Sequence, residues 1–121
     1  PPIFVTQEDI SQLQLAKAAI QAGREILLKE AGRKEEEIEE VILAGAFGSF
    51  INPESAKTIG LIPQEAKTTS VGNASLYGAK KALLSRDFRQ KVKALFQRAQ
   101  YIELSARSDF SDYFYQSLIF D

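Results

Sequence analysis

The 121-residue chain contains no cysteine, histidine, methionine or tryptophan. Without Cys or His it cannot build a zinc finger, a thiolate-ligated iron–sulfur cluster, a thiol nucleophile, an imidazole metal site or a His-dependent acid–base triad. Whatever chemistry it joins uses carboxylates, amines, hydroxyls and backbone. An excess of one charge is lacking too: 15 Lys plus Arg stand against 16 Asp plus Glu, so bulk electrostatics do not mark a nucleic-acid binder. No apolar run approaches the ~20 residues of a membrane span, and the N-terminus lacks the basic and apolar regions of a signal peptide. A cytoplasmic location with no membrane partner is therefore expected. With no methionine present, the chain is expected to be a piece excised from a longer protein. At 45% hydrophobic and 26% charged residues it has the profile of one globular domain spanning 1–121, long enough to fold without disulfides.

Thr6 to about Glu30 reads as a long amphipathic helix. Thr6 is placed to cap it, Glu8 and Asp9 suit its positive end, and Ile10, Leu13, Ala16, Ile20 and Leu27 recur at helical spacing as the inward face. Gly32 is placed to stop it. The acidic run Glu35, Glu36, Glu37, Glu39 and Glu40 reads as a solvated helix start or loop. It leads into Val41-Ile42-Leu43-Ala44, an apolar run with the character of a buried strand. A glycine-containing turn over 45–50 follows, then a short helix capped by Asn52 with Pro53 in its first position, ending at Gly60.

Residues 67–71 suit a second strand, and Gly72-Asn73 opens a helix through Leu84 with Ala74, Leu76, Tyr77, Ala79 and Leu83 on or near its inner side. Ser85 and Asp87 restart the chain as a helix with Phe88, Val92, Leu95, Phe96 and Ala99 inward. Residues 101–104 fit a third strand, and Ser108 or Asp109 caps a final aromatic helix. The order α-β-α-β-α-α-β-α predicts an α/β domain: a short, largely parallel sheet flanked by helices.

The strongest local feature is the pair of strand-to-helix turns, Ala44-Gly45-Ala46-Phe47-Gly48 and Val71-Gly72-Asn73-Ala74. In α/β sheets ligands collect beyond the carboxyl ends of strands, where glycine lets backbone approach a phosphate and helix N-termini aim N–H groups at it. Neither turn is a dinucleotide fingerprint or a P-loop, so spacing alone favours tight structural turns and nothing more. The pairs Glu8/Asp9 and Asp109/Asp112 sit at helix starts, where capping explains them. No catalytic residue and no metal ligand is assigned. Seven cations between Lys80 and Arg98 against the single Asp87 make a locally basic stretch, suited to a solvated face or to an acidic partner surface. The crowded aromatics Phe110, Tyr113, Phe114, Tyr115 and Phe120 exceed one inward stripe and point to a contact with the remainder of the parent chain or with a second copy in a homodimer.

VILAGAFG at Val41 to Gly48 and VGNASLYGAKKALLS at Val71 to Ser85 resemble the adenosine motif and following helix of the actin, sugar kinase and heat-shock chaperone ATPase superfamily. The ordered set VTQEDISQLQLAKAAIQAG, LLKEAG, VILAGAFGSFINPESAKTIGLIP, VGNASLYGAKKALLS and a terminal IELS before an aromatic helix is similar, over nearly the whole chain, to the C-terminal domain of the reductive activators of corrinoid proteins. The resemblance implies an actin-like ATPase (ribonuclease H-like) C-terminal subdomain that binds half of an ATP with Mg. It implies a parent that returns cob(II)alamin corrinoid protein to cob(I)alamin with an electron from an N-terminal [2Fe-2S] domain. It also implies that Gly45, Ala46, Phe47 and Gly48 lie against the ribose and α-phosphate side of the nucleotide, that Gly72 and Asn73 approach the adenine or ribose, and that Gln14 and Lys17 flank the adenine. Phosphoryl transfer needs a phosphate cradle, metal and positioned water together, and the Asp-Gly-Thr-type phosphate loops of the superfamily are not in this sequence, so the fragment alone is expected to be inactive. Two other readings stand beside this one: an activase of another electron-transfer enzyme such as a hydroxyacyl-CoA dehydratase, and a non-catalytic docking domain of the same fold.

Overall fold

The computed structural model describes residues 2–120. Helix α1 (Gln7–Ala31) begins in a reciprocal cap, the Asp9 amide donating to Thr6 Oγ1 at 3.1 Å and the Thr6 amide to Asp9 Oδ2 at 2.8 Å, and closes at Gly32. Its buried face is not the expected one. Lys17, Ala18, Ala22, Gly23 and Ile26 are covered, whereas Ile10, Leu13, Ala16, Ile20 and Leu27 are exposed. Small side chains set this orientation: a Cβ on Gly23 would stand 3.3 Å from Leu104, so the chain around Leu104 packs directly against the helix backbone there. Helix α6 (Phe110–Gln116) lies along α1, with Lys29 donating to Asp109 at 2.9 Å and standing over the Tyr113 ring.

The acidic run forms a 3-10 turn (Glu35–Glu37) held by cations, with Arg24 on Glu35 and Arg33 on Glu37. Strand β1 (Glu40–Ala44) then pairs in parallel with β2 (Lys67–Gly72), from Glu40 opposite Lys67 to Leu43 opposite Ser70. A bulge after Leu43 places Ala44 opposite Gly72. Only one face of β1 is covered: Val41 packs on a small core of Ala56, Leu61 and Ile62, while Ile42 on the other face is 62% exposed. The strand is therefore half-buried rather than buried.

Between the strands the expected turn at 45–50 is a short helix, α2 (Gly45–Phe50), followed by α3 (Pro53–Thr58), which Asn52 caps through the Ser55 amide. Glycine content argued against helix at 45–50, but the chain needs glycine there because α2 folds back onto Leu43. Helix α4 (Ala74–Leu84) and α5 (Arg86–Arg98) form a hairpin about Ser85, whose hydroxyl caps α5 at the Phe88 amide. No residue of either helix is buried. Ala74, Leu76, Tyr77, Ala79, Leu83, Val92, Leu95, Phe96 and Ala99, expected inward, are exposed, and Phe88 is half-buried. The third strand expected at 101–104 is irregular chain leading into a 3-10 turn (Leu104–Ala106); among the described residues no strand lies alongside to pair with it. Asp109 precedes α6 without capping it; its carboxylate holds Arg107 and Lys29 instead.

Candidate nucleotide-facing site

The parallel pairing brings the two glycine turns together. Because Ala44 is opposite Gly72, both strands reach their carboxyl ends side by side, and the chain leaves each into a helix. Gly45 has φ 85° and Gly72 φ 62°, left-handed conformations that an L side chain resists, and a Cβ on either would meet nothing within 4 Å. These glycines are therefore required by backbone shape and stand under open space, the arrangement in which a ligand can rest on main chain.

The donors differ between the two turns. No side chain caps the first turn of α2, which carries the backbone N–H groups of Gly45, Ala46 and Phe47. At α4 the Asn73 Oδ1 already accepts from the Leu76 amide at 3.0 Å. Gly48 has a different role from its neighbours: it is buried, and its Cα faces the Leu43 backbone, so it sets the angle at which α2 leaves the strand. Phe47 is 71% exposed beside the cradle and does not plug the core.

Gln14 and Lys17 are not brought to these turns. The Gln14 amide donates to the Leu118 carbonyl at 3.0 Å, and the Lys17 ammonium donates to the Ile119 carbonyl while standing 5.1 Å from the Phe120 ring centre. Lys17 is 1% exposed and its stem lies against the Gly60 turn. Both side chains tie the C-terminal segment to α1. Sequence spacing could not show this, because the partners are backbone carbonyls about a hundred residues away.

Polar groups that the sequence did not single out gather elsewhere on α1. Arg24 donates to the Leu61 carbonyl at 3.1 Å and pairs with Glu35 at 2.8 Å beside a cavity of about 220 Å³ that Gln21, Thr58 and Gln64 also line. Among the described residues no cluster of acidic side chains could hold a metal ion, and no helix is long and apolar enough to cross a membrane.

A family model described as the C-terminal domain of RACo, the ASKHA domain, matches residues 1–121. The chain belongs to that family. The actin-like ATPase fold expected from the two strand-to-helix motifs is the fold of this ASKHA domain. A solved structure titled reductive activator for corrinoid, iron–sulfur protein superposes with a TM-score of 0.82 at 42% identity, covering 96% of this chain and 19% of its own. The corrinoid activation enzyme RamQ of Eubacterium limosum is 35% identical over 98% of this chain. The Co(II) methylated amine-specific corrinoid protein reductase of Methanosarcina barkeri is 27% identical over 94%. The chain spans 20% and 22% of the length of those two relatives.

Proposed function

We propose that the chain is the C-terminal nucleotide-binding subdomain of a longer, cytoplasmic, ATP-dependent activator that returns an inactivated corrinoid protein from cob(II)alamin to cob(I)alamin. The observation that carries this reading is the paired cradle: two parallel strands that end side by side, each leaving through a positive-φ glycine with free space above it. ASKHA membership supports ATP as its ligand, and the names of the relatives support corrinoid protein as the partner, ahead of a hydroxyacyl-CoA dehydratase or a docking domain without nucleotide.

In this reading Gly45, Ala46 and Phe47 donate backbone N–H groups to the ribose and α-phosphate side, and Gly72 and Asn73 close the opposite wall. Gly48 fixes the helix that presents those donors. Gln14 and Lys17 contribute only through the C-terminal segment they hold. Bound ATP with Mg supplies the free energy for a conformational step, and the Mg would be held by phosphate oxygens and by residues outside this chain. A [2Fe-2S] cluster does not fit this chain, which has no cysteine, and belongs to the remainder of the parent. The fragment alone is inactive in this reading.

An amide NMR titration with Mg-ATP and Mg-ADP to millimolar concentration tests the site. Shifts centred on 45–48 and 72–73 are expected. Shifts confined to α4 and α5 would mean phosphate is attracted by charge alone, and silence that persists after the upstream ATPase half is restored would refute nucleotide binding.

A further inference from the structure

Two apolar faces of the domain stand open, and their surroundings differ. On α1, Leu13, Ala16, Ile20 and Leu27 run beside Gly23 and Leu104, and Arg24 at that groove is already bound to Glu35 and to the Leu61 carbonyl. A permanent neighbour can cover such a face without stripping water from free charge.

The face of α5 is different. Val92, Leu95, Phe96 and Ala99 form one stripe, with Leu95 66% and Phe96 80% exposed, and Leu83, Leu84 and Tyr101 extend the exposed apolar surface at its ends. At about 100° per residue, Arg89 and Lys93 fall on one flank of the stripe and Lys91 and Arg98 on the other. Among the described residues Arg86, Lys93 and Arg98 have no carboxylate within ion-pair distance. Lys91 has only the exposed pair to Asp87 one turn away, which an incoming carboxylate can replace at little cost. Burying this stripe permanently would desolvate cations on both sides of it. A reversible partner with an apolar centre and a carboxylate rim meets the stripe and leaves the cations at a wet edge, where they steer its approach.

We propose that the α5 face, flanked by Arg89 and Lys93 on one side and Lys91 and Arg98 on the other, is the docking surface for an acidic protein. Resting on the function proposed above, that protein is the corrinoid protein on which the full-length activator acts. Charge supplies the encounter, and Leu95 and Phe96 supply the contact that holds it.

The test uses the full-length protein, a Lys91→Glu/Lys93→Glu double variant and a Phe96→Ser variant, with a cob(II)alamin-form corrinoid iron–sulfur protein as probe. All three substitutions lie on exposed positions outside the nucleotide cradle, so nucleotide affinity should stay at the wild-type value. The charge reversal is expected to weaken corrinoid-protein binding by about ten-fold or more and to flatten its salt dependence. Phe96→Ser should weaken binding while leaving the salt dependence intact. Cob(I)alamin formation by the reversed variant should recover at saturating partner, a change in KM rather than kcat. Affinity within about two-fold of wild type would overturn the proposal. So would strong amide-exchange protection of α5 in the unbound full-length protein, which would mean its own chain covers the face, or a loss confined to self-association or to binding of anionic vesicles. If wild type forms cob(I)alamin while these results go against docking, the proposed function stands and only the docking surface fails. If wild type neither binds nor reduces the corrinoid protein, both fail.

Discussion

Gly48 offers the sharpest test of the cradle's geometry. A Cβ built there lies 3.1 Å from both the carbonyl carbon and the Cβ of Leu43, and 3.4 Å from its Cα. Carbon atoms prefer about 3.5–4.0 Å, so α2 and β1 would have to part by several tenths of an ångström. The obstacle is strand backbone held in the parallel ladder, not the free end of a side chain. Overpacking of this kind costs about 1–3 kcal/mol, while replacing a helical glycine by alanine returns up to about 1 kcal/mol. Gly48→Ala should therefore destabilise the domain by about 1–2 kcal/mol, a fall in Tm of about 3–8 °C for a chain this long. Gly78→Ala is the matched control: it also sits in a helix, α4, but a Cβ there meets nothing within 4 Å, so this variant keeps the helical gain and should raise Tm slightly. Thermal unfolding followed by circular dichroism measures both. Equal stabilisation by the two substitutions would refute the close approach of α2 to Leu43, and with it the placement of the N–H groups of Gly45 to Phe47.

Gly72→Ala meets no atom but must hold φ near 62°, so it should cost about 1–2 kcal/mol in denaturant unfolding and weaken nucleotide binding measured by NMR titration. Lys17→Met keeps the packing of the stem and removes the donor to the Ile119 carbonyl; amide exchange through α6 should accelerate while that of β1 and β2 does not change. The hydrogen bonds from Arg107, and then Lys29, hold the Asp109 carboxyl below the ordinary carboxylate range. Its stabilising effect is therefore complete above the pKa of an unfolded Asp, about 4, and is lost as pH falls through the folded value. Asp9, Glu37 and Glu103 are lowered in the same direction by their hydrogen bonds, so wild type should lose Tm on acidification below about pH 5, and Asp109→Asn should show a shallower acid limb.

What the sequence made legible was local. Thr6, Gly32, Asn52, Asn73 and Ser85 act within a few residues of themselves, and each ends or begins a helix as its side chain or backbone requires. The family resemblance was legible for a related reason, since the wording of the two strand-to-helix turns is itself local. The failures are all about what lies across from a segment. The periodicity of Ile10, Leu13, Ala16, Ile20 and Leu27 marks a face that gains by being covered but says nothing about what covers it; here Ala18, Ala22 and Gly23 receive the neighbours because they allow close approach. Tyr101 to Leu104 has strand composition, yet a strand exists only where another can pair with it. The burial of Lys17 was invisible because its compensation is a backbone carbonyl and an aromatic ring from the far end of the chain.

The same reasoning explains why the cradle is well formed at its glycines yet open around them. Parallel sheets are ordinarily covered on both faces, and a two-stranded one with Ile42 exposed gains little from burial on its own. The positive-φ turns at Gly45 and Gly72 are set side by side by the pairing of Ala44 with Gly72 and by the packing of Gly48 on Leu43, contacts wholly inside this chain. A Cβ at either glycine would meet nothing within 4 Å. Under the proposed function, a domain of this kind fixes backbone donors and leaves phosphate, metal and water to be positioned by the rest of the parent chain, so that nucleotide binding energy would be coupled to closure of the two parts on each other.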